Sequence, residues 1–371
     1  PKAGKIKKVT TNQILGTTEW TLSNGVRVVI KPTEFKQDEI LFSAFSKGGQ
    51  SLVATEDLVS AALATDVISV SGIADMTMTD LQKALTGKNI SLSPSINANT
   101  ESIEGGTTVK DLETLLQLNY LYFTAPRRDE NAYAMLMSVL ESQLANRDKN
   151  PKVAFSDSVS MMANNYSPRT VIFNQEALTH ADLDKSLEIY KARFANPADF
   201  IFTFVGNVNP DDEAFQQLVC TWLGSLKTSK KKEAVRDNGD RVPEGINKNY
   251  FSRRMETKTA SNRIQYTSYD IPYTLANELN MEMIGRILST RYLESIRERE
   301  GGSYGVGCAG GLQVYPVAKA YLLMQFDTDP DKQVKLMNII HEEVNTIVEN
   351  GPLAKDLNKE KESMLKDFQE D

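Results

Sequence analysis

The residues best suited by type and spacing to do chemistry lie in "SIREREGGSYGVG" (residues 295–307), where Arg297, Ser303 and Tyr304 sit among glycines. Three chemistries compete for this stretch. Gly305-x-Gly307-x-x-Gly310 has the spacing of a dinucleotide-binding turn, which needs a strand before it and a helix after it so that pyrophosphate meets a helix N-terminus. Gly301-x-Ser303-x-Gly305 has the spacing of a nucleophile elbow, with Asp327 or Asp329 and then His341 following in the order of a Ser-Asp-His hydrolase; that elbow also runs from strand into helix. The surrounding pattern predicts the reverse, a helix C-terminus in front and strands behind, which turns the negative end of the helix dipole toward the glycines. The third chemistry has no such requirement. Arginine in the last turn of a helix is favoured by the dipole and offers carbonyls or carboxylates a rigid donor fork, and a tyrosine hydroxyl can donate to a developing oxyanion. Residue types alone leave the alternative open that Arg297 caps a helix end and Tyr304 packs in a strand.

Metal chemistry is excluded more firmly. Catalytic zinc takes three protein ligands and an open position for water. The chain has two histidines, His180 and His341, far apart. His341 begins "HEEVN", with Asn345 where a His-Glu-x-x-His motif would need its second histidine, and His180 in "LTHADLD" has no histidine nearby. Helical spacing places His341 with Val334, Met337, Val344 and Val348, which predicts a histidine at the core boundary. Cys220 and Cys308 match no metal knuckle and no disulfide framework, leaving one isolated bridge open. No metal is expected in this chain.

These residues must be positioned by a chain of 371 residues, 40% hydrophobic and 25% charged, ordinary for a globular protein of two to three domains. The formal charge of −7 argues against nucleic acid or an anionic membrane as the main partner. Lysines in "KTSKKKEAVR" (227–236) read as a solvated linker. No apolar run reaches transmembrane length and no signal peptide is seen, although the chain begins abruptly at "PKAGKIKKV". Membrane insertion is not expected.

"TEWTLSNGVRVVIKP" (18–32) predicts a hairpin, with Asn24-Gly25 suited to a tight primed turn. A strand is predicted over 39–49, and a helix over 55–72 with Thr55 as N-cap and Gly72 past its end. A short helix stopping at Gly87, strands in "NISLSPSIN" and "ESIEGGTT", and helices near 110–122, 129–146, 151–163 and 182–193 follow. A strand at 199–208 and a helix capped by Asn209 with Pro210 at its first position close the unit. After the polar segment 226–247 come strands "NYFSRRM" and "RIQYTSYDI", then a long helix from Thr274 to about Arg299. Leu275, Leu279 and Ile287 form one apolar stripe of that helix, with Leu288, Tyr292 and Ile296 beside it. Two strands (303–314 and 316–327), a helix from Asp329-Pro330 to Gly351 and a charged C-terminal helix complete the chain. Glu298, Arg299 and Glu300 read as a solvated face, and Tyr266 and Tyr269 as sheet packing.

The order strand, helix, paired strands, helices thus occurs twice, and the second copy lacks the closing strand and helix of the first. This predicts an α+β protein of two related domains, each a mostly antiparallel sheet with helices packed on one face. Residues 1–17 are expected to be an N-terminal linker, 18–225 the first domain, 226–247 the interdomain linker, and 248–371 a second domain cut short at its C-terminus.

"GRILSTRYLESIREREGGSYGVG" (285–307) resembles the signature segment of the pitrilysin/insulinase family of inverted zinc metallopeptidases, in which a long helix ends in Arg and a Tyr seven residues later opens a strand, the spacing of Arg297 and Tyr304. "LSNGVRVVIKP" (22–32) and "FVGNV" (204–208) resemble strands that open and close domains of that family. The resemblance implies half of a two-half clamshell that encloses unfolded peptides. It implies that Arg297 and Tyr304 hold the peptide backbone and the tetrahedral intermediate, while zinc sits on an inverted His-x-x-Glu-His helix in the N-terminal half. Where that motif would fall, residues 55–72 offer Glu56, Asp57 and Asp66 and no histidine. The catalytic half is therefore expected elsewhere, in the same polypeptide or in a partner subunit, with a peptide as substrate. A non-catalytic scaffold subunit of a heterodimeric peptidase and a serine hydrolase using Ser303 are the competing readings. The resemblance points to an exported or periplasmic setting, as for bacterial relatives with fused halves.

Overall fold

The structure is a computed structural model and describes residues 1–298 and 305–370. The chain forms two compact units, one of residues 1–147 and 171–238, the other of 148–170 and 239–371.

The first unit opens with an antiparallel meander of β1 (Ile6–Asn12), β2 (Thr17–Leu22) and β3 (Arg27–Pro32). β1 lies in the expected linker 1–17; its side chains are almost all exposed, so it carries no alternation for a sequence reading to find. In the β2–β3 hairpin only Gly25 has a positive φ (86°), and Leu22 N–H bonds Val26 O across the loop at 2.9 Å. The turn is therefore a three-residue loop with a left-handed glycine in place of the expected primed turn, both types of which need positive φ at the first central residue, here Asn24.

β4 (Ile40–Lys47) alternates strictly, burying Ile40, Phe42, Ala44 and Ser46 and exposing Leu41, Phe45 and Lys47, as a strand covered on one face must. A 3-10 turn (Thr55–Asp57) leads into α1 (Leu58–Ser71), so the helix starts later than an N-cap at Thr55 would place it; Gly72 at φ 82° ends it. α2 (Met78–Ala84) has a capping box between Thr77 and Asp80. β5 (Ile90–Ile96), β6 (Thr100–Thr107), α3 (Leu112–Thr124) and α4 (Glu130–Leu144) follow. The chain then contributes α5 (Pro151–Ala163) to the second unit before returning as α6 (Gln175–Leu178), α7 (Leu183–Arg193), β7 (Ile201–Gly206) and α8 (Glu213–Trp222). Asp212, not Asn209, caps α8, accepting from Ala214 N at 3.1 Å, while Asn209 turns the preceding loop by accepting from Asp211 N.

The seven strands run in the order β1-β2-β3-β7-β4-β6-β5, with β3 and β7 parallel and the other neighbours antiparallel. Inward positions of β2, β4 and β7 (Trp20, Phe42, Phe202, Phe204) share one core with Tyr190 and Phe194 at the end of α7. Asn24 ties the β2–β3 turn to the end of α8, its Nδ2 donating to Leu223 O at 2.9 Å and Leu226 O at 3.0 Å.

The second unit consists of α5, β8 (Ala260–Ser268), α9 (Leu275–Tyr292), a π-helical turn (Leu293–Glu298), β9 (Gly307–Gln313), β10 (Lys319–Thr328), α10 (Gln333–Asn350) and α11 (Ala354–Glu370). Its antiparallel sheet has the order β8-β10-β9. The expected strand "NYFSRRM" (249–255) is irregular and exposed throughout; it buries no alternate face that would hold it to a sheet. Residues 148–170 group here, not with the first domain as expected: Lys152 pairs with Asp327 at 3.1 Å, and Asn249 donates to Ser158 at 2.6 Å. The expected α9 stripe is buried from Ile287 onward, through Leu288 and Tyr292 to Ile296 in the π turn, while Leu279 is half-buried and Leu275, at the helix start, is exposed.

The two units repeat one connection. Strand β4, helix α1 and strands β5 and β6 pair in the order β4-β6-β5, and β8, α9, β9 and β10 pair in the order β8-β10-β9. The doubled organisation read from the sequence is present as topology.

Candidate functional site

Arg297 is exposed on the π-helical turn that ends the α9 helix, while its neighbours Ser295 and Ile296 are buried. The helix ends at Glu298 and β9 begins at Gly307. This helix-to-strand order is the one both glycine-motif chemistries forbid, and Gly307 to Gly310 of the dinucleotide spacing lie inside β9. Tyr304 and Ser303 fall in 299–304, outside the described residues.

What holds Arg297 in place is the helical turn just before the π segment. Four consecutive residues tie it to different elements. Ser289 Oγ donates to Cys308 O at 2.9 Å and accepts from Cys308 N at 3.0 Å, gripping β9. Thr290 donates to Glu360 of α11 at 3.1 Å. Arg291 pairs with Glu343 of α10 at 2.6 Å and Asp356 of α11 at 3.5 Å. Tyr292 donates to Ile340 O of α10 at 3.2 Å. Consecutive helical side chains point about 100° apart, so four in a row with partners means the helix is gripped on all sides. Glu343, Asp356 and Glu360 are all buried, and the hydrogen bond to Glu343, with a smaller contribution from Asp356, holds the Arg291 guanidinium firmly in its charged form. Burial pushes the Tyr292 hydroxyl far above its ordinary pKa and the Cys308 thiol up to about 12, so neither ionises near neutral pH.

One turn earlier the helix backbone meets the strand backbone. A Cβ on Gly285 would stand 2.4 Å from Gly310 N, and one on Gly310 would stand 2.0 Å from Met281 O. Only glycine at both positions permits this approach. The sequence reading missed this contact and the four-residue collar. An isolated Gly285 inside a helix, where it costs about 1 kcal/mol against Ala, was the one available signal.

The alternative residues are placed apart or otherwise engaged. His341 Nδ1 meets the Tyr266 hydroxyl at 2.6 Å, where a hydrolase histidine would meet a carboxylate. Asp327 pairs with Lys152, and Asp329 caps the turn before α10. His341 is half-buried, and Met337 and Val344 of its expected stripe pack against the core, whereas Val334 (72% exposed) and Val348 (77%) point away and the fully buried residues of that face are Leu336 and Ile340. Tyr269 accepts a hydrogen bond from Val242 N at 3.0 Å and lies 5.8 Å from the Arg241 guanidinium. His180 is exposed just beyond α6. Cys220 and Cys308 are free thiols.

At the position where the zinc motif would fall, the donors do not fit a catalytic metal. Glu56 is exposed, Asp57 faces Lys185 at 3.6 Å, and the core-facing positions of α1 are Leu58, Ala61, Ala64 and Ile68. Among the described residues no group of three or more His, Cys, Asp or Glu is arranged to hold a metal. Among them, too, no helix is long and apolar enough to cross a membrane.

A family model described as "Peptidase M16 inactive domain" matches residues 181–364. A zinc protease PQQL-like protein of Arabidopsis thaliana is 24% identical over 361 residues, covering 92% of this chain and 34% of that protein. The crystal structure of the periplasmic protease PqqL from Escherichia coli superposes with a TM-score of 0.87 at 20% identity, over 100% of this chain and 40% of that one. A mutant of the ferredoxin protease FusC, in complex with Arabidopsis ferredoxin, superposes with a TM-score of 0.83 at 18% identity, over 100% and 40%. The fold is that of half of a clamshell peptidase. Residues 181–364 carry the inactive domain of the peptidase M16 family, the pitrilysin/insulinase metallopeptidases. The chain spans about a third of the length of the relative it matches.

Proposed function

We propose that this chain is the C-terminal, metal-free half of a zinc endopeptidase that acts on unfolded peptides. Arg297 grips a substrate carbonyl, and Tyr304 donates a hydrogen bond to the oxyanion that forms as the peptide carbonyl is attacked. Zinc and the catalytic base belong to an N-terminal half, in the same polypeptide or in a partner subunit. The carrying observation is Arg297 itself: a solvent-exposed guanidinium at the end of a helix whose preceding turn is tied to β9, α10 and α11. A surface arginine that merely solvates a helix end needs no such foundation. Similarity to a protein called a periplasmic protease favours an exported setting.

The test is cleavage of a quenched-fluorescent peptide by this chain combined with the metal-binding half. Arg297→Ala and Tyr304→Phe should each lower kcat about 100- to 1000-fold, the effect of losing one oxyanion donor, with zinc content unchanged. Wild-type turnover in both variants would refute the assignment and leave a scaffold subunit. Activity in this chain alone, abolished by Ser303→Ala and indifferent to chelator, would overturn the metallopeptidase reading.

A further inference from the structure

The four-residue collar does more than stabilise α9, because one member joins the two elements that flank the candidate site. Ser289 uses a single hydroxyl to serve both main-chain groups of Cys308, donating to its carbonyl at 2.9 Å and accepting from its amide at 3.0 Å. In an antiparallel pair the N–H and C=O of one residue point to the same side. Cys308 therefore turns both away from β10, on an edge strand, where among the described residues the helix supplies the partner, Ser289. The same Ser289 also stands at the root of the π turn: Leu293 N–H, the first of that segment, is shared between the carbonyls of Ser289 and Thr290. Its side chain thus fixes the start of β9 while its main chain receives the turn that carries Arg297. The Gly285–Gly310 contact sets the depth of the crossing, and Ser289 sets its register along the strand.

We propose that Ser289 is a positioning residue: through Cys308 it holds the Arg297 turn in fixed register with the first residues of β9. This rests on the reading of Arg297 as a substrate-binding group. A displacement of about 1 Å in a positioned group can cost up to about 100-fold in rate, and preorganised sites depend on supporting hydrogen bonds that lock the group in contact with substrate. Ser289→Ala leaves both Cys308 groups without their partner and frees the register. Ser289→Thr restores the hydroxyl.

The experiment compares three variants. Ser289→Ala, Ser289→Thr and, as a destabilised control in the first unit, Thr77→Ala are each combined with the metal-binding half, and kcat and KM are measured for a quenched-fluorescent peptide. Amide exchange at Cys308 is followed in this chain. The expected result is faster exchange at Cys308 and a fall of about 10-fold in kcat/KM for Ser289→Ala, recovered in Ser289→Thr and absent in Thr77→Ala. Faster exchange with unchanged turnover, while Arg297→Ala still impairs cleavage, would overturn the positioning role and keep the Arg297 reading. Unchanged exchange at Cys308 would overturn the clamp itself. Unimpaired cleavage in Arg297→Ala would remove the reading on which it rests, and the proposal with it.

Discussion

Gly285→Ala reverses the sign that helix propensity alone would give. In an exposed helix interior, replacing Gly by Ala gains about 1 kcal/mol. Here the added Cβ would lie 2.4 Å from Gly310 N, 3.0 Å from Ala309 C and 3.2 Å from Gly310 Cα, all main-chain atoms of β9. Carbon contacts settle at roughly 3.5 Å, so helix and strand must part by about 1 Å, and no side chain can swing aside to absorb it. Overpacking of this kind costs about 1–3 kcal/mol. The Ser289–Cys308 hydrogen bonds, one turn further on, would stretch with it, at about 1 kcal/mol each if lost. The balance is a net loss of about 1–3 kcal/mol. Both tryptophans, Trp20 and Trp222, belong to the first unit, so fluorescence would miss the change, and a two-unit chain gives no single unfolding transition. Native-state amide exchange of the α9 residues is the suitable assay. Gly307→Ala is the control: among the described residues nothing lies within 4 Å of its added Cβ, and it should stay within about 0.5 kcal/mol of the parent. Slower exchange in Gly285→Ala, a gain of about 1 kcal/mol, would refute the close-approach argument.

Three further outcomes are expected. Arg291→Met should destabilise the second unit by about 3–5 kcal/mol, because the buried Glu343 and Asp356 lose the Arg291 guanidinium they share; amide exchange in α10 and α11 reads it. Glu101 is 1% exposed, and burial raises its pKa above 4.5 despite the bond it accepts from Gly49 N at 2.6 Å. The folded state therefore holds that proton where the unfolded state has lost it, so the stability of the first unit falls as pH rises from about 4.5 through the raised value; denaturation followed by tryptophan fluorescence should show this slope in the parent and a flatter one in Glu101→Gln. Thr77→Ala removes the capping box of α2 and should cost about 1 kcal/mol, read by exchange at Asp80 N–H.

Much of the fold was legible because its signals are local. Strict alternation in "ILFSAFSK" gives β4, Gly72 and Gly351 end their helices at φ 82° and 73°, and Gly25 marks the hairpin. Elements defined by a partner elsewhere were not legible. β1 is a largely exposed, polar strand that pairs with β2 at the sheet's edge, and α5 joins the second unit through contacts with residues about 90 to 175 positions away. At the site, Arg297 stood out through the family resemblance of its segment, its residue type and helix-end position alone leaving a simple helix cap open. Ser289 did not, because a serine in a helix has no signature until Cys308 is placed beside it. Its neighbours Thr290, Arg291 and Tyr292 read individually as ordinary helix residues, and only their partners on three other elements make them a collar.

The repeated topology explains why only one copy presents an arginine. Both copies run strand, helix and paired strands with the same sheet order, so both have the same place for a turn between helix and edge strand. In the first copy α1 has 14 residues and stops at Gly72, whose positive φ turns the chain at once toward α2. In the second, α9 has 18 residues and continues for six more as a π turn. A π turn adds a residue per hydrogen-bonded ring and is held only where packing compensates its poorer geometry. Here Ile296 and Ser295 are buried beneath it, and Ser295 Oγ bonds Arg291 O at 2.9 Å. Burying those two leaves the next residue, Arg297, facing solvent. A duplicated scaffold thus supplies the position, and an extension of one helix, braced by the collar, supplies the side chain. The first copy shows that the same sheet order forms without such an extension, so replacing Arg297 alone, with the buried Ser295 and Ile296 kept, should remove the proposed grip on peptide and leave the sheet intact.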